Sequence, residues 1–113
     1  MTKYKINKII AAELVERGVW IRADVSRDGA VHFDAIGAMG SDLDMFVDSR
    51  DSCALFEDSL TIDEKWRYGI EIKQLSYNAA EYYDDPLFLF AAFLTPAQRC
   101  EVFLRTIDKW ETK

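Results

Sequence analysis

The chain has 113 residues, half of them apolar, with 14 Lys and Arg against 20 Asp and Glu. That length suits a single domain over residues 1–113, and the apolar content excludes a disordered acidic tail. The negative charge is local, because residues 1–23 carry net +3, residues 24–64 net −9 and residues 65–113 net zero, which argues against direct nucleic-acid binding and for a basic protein surface as partner.

Ile6, Ile9, Ile10 and Leu14 recur at helical spacing and Gly18 follows, which predicts a first helix over residues 4–17 with Lys5, Lys8, Glu13 and Glu16 outward. Residues 19–25 then alternate. Val19, Ile21, Ala23 and Val25 fall on one side and Trp20, Arg22 and Asp24 on the other. Ser26-Arg27-Asp28-Gly29 supplies turn chemistry, and Val31, Phe33 and Ala35 resume the alternation against His32 and Asp34, which predicts a β-hairpin. Gly37-Ala38-Met39-Gly40 marks a turn or mobile loop. Residues 41–60 read as an irregular stretch with one or two short elements, Met45-Phe46-Val47 being a candidate third strand.

Thr61 and Glu64 match a capping box, and Trp66, Ile70 and Tyr77 then share a face, predicting a helix over 62–83; residues 69–73 also alternate as a strand would. Asp85-Pro86 opens a short, wholly apolar helix through Leu94. Thr95-Pro96-Ala97-Gln98 starts the last helix, whose stripe runs through Cys100, Phe103, Leu104, Ile107 and Trp110, with Lys109 and Lys113 at its end. The fold class is therefore α+β: an N-terminal helix, an antiparallel hairpin of two strands or three, then two to three helices packed on one face of the sheet.

The basic start is followed by apolar residues interrupted by Glu13, Glu16 and Arg17, so no leader core forms. The longest apolar run, Leu87 to Leu94, is far short of the roughly 20 residues that cross a bilayer, and a cytoplasmic location is expected. Two cysteines, Cys53 and Cys100, sit among apolar neighbours and read as reduced and buried.

Few motifs carry chemistry. Asp42-Leu43-Asp44 fails as a calcium loop because the next ligand position is Phe46 and no glycine follows. A lone His32 cannot build a two-histidine or His-Cys zinc site. Cys53 has only Arg50 as a neighbouring cation, among Asp51, Glu57 and Asp58, the wrong setting for a nucleophilic thiolate. Glu71-Ile72-Lys73 has the E-x-K spacing of some Mg²⁺-dependent nucleases if it lies on a strand beside an upstream Asp such as Asp58 or Asp63, and Asp58, Glu71 and Lys73 define an alternative enzymatic reading. The leading reading is non-enzymatic and needs no cofactor or metal.

That reading places a partner-binding surface on Asp24, Asp28, Asp34, Asp42, Asp44, Asp48, Asp51, Glu57 and Asp58, with Tyr82 and Tyr83 as aromatic anchors. A carboxylate array of this kind can occupy a groove built for phosphates, so the expected partner is a nuclease or a nucleic-acid-binding complex. In size and charge, and in nothing more specific, the chain is similar to small acidic inhibitors of CRISPR and restriction nucleases and to immunity proteins that neutralise toxic nucleases. A self-associating structural protein that uses a Tyr and Trp patch is a further alternative.

Overall fold

A computed structural model describes residues 1–27, 30–75 and 94–111. Helix α1 spans Lys3–Glu16; strands β1 (Arg22–Val25), β2 (Val31–Ala35) and β3 (Ala38–Leu43) follow; a 3₁₀ turn covers Phe46–Asp48; and helices α2 (Arg50–Asp58), α3 (Ile62–Leu75) and α4 (Pro96–Thr106) complete the described elements. The α+β class predicted above is the class observed. The strands pair antiparallel in the order β1-β2-β3.

The third strand is real but lies elsewhere than expected. It begins inside the supposed Gly37–Gly40 loop: Gly37, with φ of 80°, makes a tight turn that returns Ala38 opposite Ala35, and Leu43 then pairs with Val31. Met45-Phe46-Val47 is no strand; Phe46 and Val47 plug the core from the 3₁₀ turn. Nine residues of the stretch read as irregular form α2, opened by Ser49, whose Oγ accepts from the Ser52 amide at 3.3 Å. Its Cys53 and Phe56 point inward, with Leu60 just beyond the helix end.

The core joins α1, the inner sheet face, the 3₁₀ turn and all three later helices through Ile10, Leu14, Val31, Phe46, Phe56, Ile72, Phe103 and Leu104. Strand β1 starts at Arg22, so strand alternation does not govern Trp20. Its indole turns inward, stacking on Phe33 with ring centroids 4.4 Å apart and lying 6.0 Å from Phe46, while Val19 and Ile21 are exposed. The aromatic chain continues from Phe46 to Phe56 at 6.0 Å and from Phe56 to Phe103 at 4.5 Å. Asn7, buried on α1, ties the helix to the 3₁₀ turn: its side chain donates to Lys3 O at 2.6 Å and accepts from the Val47 amide at 3.4 Å.

Residues 69–73 are helical, and the inward face of α3 is Tyr68 and Ile72, not Trp66 and Ile70. The remainder of the helix expected to 83, with Tyr77, and the helix expected from Pro86 lie outside the described residues. Thr95 and Gln98 form the predicted capping box of α4, Thr95 Oγ accepting from the Gln98 amide and Gln98 Oε1 from the Thr95 amide. That helix ends at Thr106, earlier than the stripe implied. Asp108 takes φ of 60°, and the Lys109 amide closes back on Leu104 O at 2.8 Å. Ile107 and Trp110 are thus half-buried on a tail past the helix.

Glu13, expected outward, is buried under that tail. It accepts from Lys109 Nζ at 2.8 Å and from Arg17 Nε at 2.9 Å, and although burial raises its pKa, these two cations outweigh that and hold it below the usual carboxylate range. Arg17 also donates two parallel bonds to Glu64, at 2.7 and 2.6 Å, and one to Ser59 O at 3.1 Å. The guanidinium, helped by the Thr61 amide, pulls Glu64 down to about 2.

Both shifts set the sign of the acid response. A carboxylate depressed in the folded state stabilises it fully above the unfolded value of 4.5 and loses that contribution as pH falls through the folded value. Stability measured by urea unfolding is therefore expected to be flat from neutral pH to about 4.5 and to fall by roughly 2 kcal/mol toward pH 2 through Glu64, with partial solvent screening allowed for. Glu64→Gln should flatten that slope. An unchanged slope would show that the pair does not couple to folding.

Candidate binding face

Among the described elements, α1 packs on one side of the three strands and none covers the other. Period-two alternation puts Arg22 and Asp24 from β1, His32 and Asp34 from β2, and Asp42 from β3 on that outer face, where together with Gly40 and the edges of Ala23 and Phe33 they line a shallow depression of about 590 Å³. Strand register arranges them in rows. Asp24 lies opposite His32 and His32 opposite Asp42, so carboxylate, imidazole and carboxylate cross the sheet in line. His32 donates from Nδ1 to Asp42 Oδ1.

The neighbouring row has a different purpose. Arg22 faces Asp34 and donates to its Oδ2 from Nη2 at 2.6 Å and from Nε at 3.1 Å, while the Gly40 amide donates to Oδ1 at 2.7 Å. These bonds, the Gly40 amide first and Arg22 second, hold the Asp34 carboxyl below its ordinary range. Asp34 is spent on fixing the β2–β3 turn and its charge is answered by Arg22. The exposed carboxylates left in the depression are Asp24, and Asp42 with its bond from His32.

Asp42 also belongs to a second shallow surface with Ala30, Leu43 and Asp44. Asp24, Asp42 and Asp44 therefore lie on one continuous stretch of surface, all three exposed. Adjacent strands sit about 4.8 Å apart, so carboxylates on β1 and β3 stand roughly 10 Å from each other, too far for one guanidinium to bridge. The face suits two or more cationic side chains presented together.

In comparisons with family models, curated proteins and solved structures, nothing matches this chain. The geometry of its own residues is what bears on function.

The other acidic residues proposed from sequence divide. Asp48 meets Lys3 at 3.4 Å beside the 3₁₀ turn, and Asp51 and Asp58 are exposed on α2. Neither depression includes any of the three. Glu57 is an internal group: it accepts from Tyr68 Oη at 2.6 Å and pairs with Arg99 at 2.8 Å, tying α2 to α3 and α4. Burial and the adjacent Glu57 push the Tyr68 phenol far above its ordinary range, so it stays a donor. Asp28, Tyr82 and Tyr83 lie outside the described residues.

His32 and Gly40 were the part of the face that charge counting missed. The signal was available in the alternation itself, since His32 lies between Asp24 and Asp42 once the third strand is placed. The strand that the E-x-K motif needs is absent: Glu71 and Lys73 are two positions apart on a helix, about 200° around its axis. Cys53 and Cys100 are free and buried; hydrogen bonding to Cys53, then burial, raises the Cys100 thiol well above its ordinary range. Among the described residues no cluster of three or more His, Cys, Asp or Glu has metal-binding geometry, and no helix is long and apolar enough to cross a membrane.

Proposed function

We propose that the chain is a non-enzymatic binding protein whose outer sheet face engages a basic surface on a partner protein, of the kind that otherwise holds nucleic-acid phosphates. The observation that carries this reading is the exposed pair Asp24 and Asp42 on a sheet face that no described element covers, continued by Asp44 just past the end of β3. Strands fix the spacing of Asp24 and Asp42, so a matching set of Lys or Arg side chains is met there without first ordering a loop. Their charge also steers a basic partner toward this side of the molecule, a rate effect that fades with salt.

An arginine-rich peptide is a sufficient probe, with binding followed by calorimetry at low and moderate salt. Asp24→Lys, Asp42→Lys and Asp44→Lys combined should weaken binding by about tenfold or more. The control is Asp48→Lys, Asp51→Lys and Asp58→Lys combined, an equal change in net charge on the 3₁₀ turn and α2, and it should weaken binding far less. Equal losses from the two triples would mean that net charge alone attracts the peptide, and the sheet face would lose its role.

A further inference from the structure

The face of α3 that points away from the core is apolar. Ile62, Trp66 and Ile70 recur every four residues and are 76, 75 and 54% exposed, while the opposite face buries Tyr68 and Ile72. Gly69 interrupts the stripe: a Cβ there would meet nothing within 4 Å, so the helix carries an open notch. Ile62, Lys65, Trp66, Gly69, Ile70 and Lys73 line a depression of about 530 Å³ around it. A tryptophan and two isoleucines held in water on a helix with its own buried side are not needed for folding, and exposed contiguous apolar area of this kind marks contact surfaces.

We infer that this stripe is a homodimer interface in which α3 packs antiparallel against α3 of a second copy. A twofold axis makes the surface its own complement, and one register satisfies its chemistry. With Trp66 of each copy seated over Gly69 of the other, Ile62 lies along the aliphatic stem of Lys73, and Asp63 stands one residue from the level of that lysine's ammonium. The acid sits in the first turn of α3 and the base in the last, ten residues or about 15 Å away, so only the antiparallel arrangement brings each to its opposite charge. The missing side chain at Gly69 permits the close approach that the indole needs.

Sedimentation equilibrium from micromolar to millimolar protein tests this. A monomer–dimer equilibrium is expected. Gly69→Leu fills the notch in open space without disturbing the monomer's packing, so it should abolish the dimer while leaving circular dichroism and urea stability intact or improved; Trp66→Ala should abolish it too. Lys73→Glu should weaken association by about tenfold through two symmetric pairs, and combining it with Asp63→Lys should restore most of the loss. A chain that stays monomeric at every concentration overturns the inference, whether Trp66 is then quenched freely by iodide or is shielded by another part of its own chain. A dimer insensitive to Gly69→Leu overturns it as well.

Discussion

Phe103→Ala should destabilise the fold by about 4 kcal/mol, the largest loss expected from any single truncation. Phe103 is fully buried on α4, packs tilted against Phe56 with ring centroids 4.5 Å apart, and has the Arg17 guanidinium 5.8 Å from its ring centroid. Its removal opens a void where α1, α2 and α4 meet, and a helical backbone cannot collapse into it. A domain of this size has a total stability on the order of 5–15 kcal/mol, so the variant would stand near its unfolding midpoint at warm temperatures. Urea denaturation should show a lower midpoint with unchanged slope. A loss below about 1 kcal/mol would mean that the aromatic chain does not carry the core.

Arg17→Ala should cost about 3 kcal/mol at neutral pH, and the cost should shrink as the solution is acidified. Arg17 joins Glu13, Glu64 and Ser59 O, and so clamps the end of α1 to the start of α3. Its side chain is mostly shielded, so truncation leaves two carboxylates short of a partner where water reaches them poorly. Below the folded value of about 2 for Glu64 that carboxylate is protonated in native protein and variant alike, and the ionic part of the difference disappears. Unfolding at pH 7 and pH 1.5 measures it; equal losses at the two would assign the effect to lost packing on Phe103 instead.

Local rules account for the parts of the fold that were legible from sequence. The hairpin followed from alternation over 22–25 and 31–35, and α4 from its capping box, because each signal lies within a few residues and its partner is adjacent. The third strand did not follow: Ala-Met-Gly-Ser-Asp-Leu has weak strand propensity, and what orders it is pairing with Val31 and His32 plus the Gly40 amide held by Asp34. Helix α2 was missed because nine residues carry few apolar positions and its cap is a plain serine. The acidic set was visible as composition, but which carboxylates are surface and which are structural was not. Glu57 and Asp34 acquire Arg99 and Arg22 only through tertiary and cross-strand contacts, and no local pattern encodes those.

The closure of the last tail over Glu13 bears on the order in which the protein is made. Lys109 and Glu13 are 96 residues apart, and Lys5 and Glu111 are 106 apart. These two pairs of α1 therefore form only after the intervening 96 and 106 positions have been made, at roughly 5–20 residues per second, whereas Glu13 meets Arg17 at once. Until then Glu13 stands in water with Arg17, four residues on, as its cation, and the cost of burying it falls due only when Lys109 arrives.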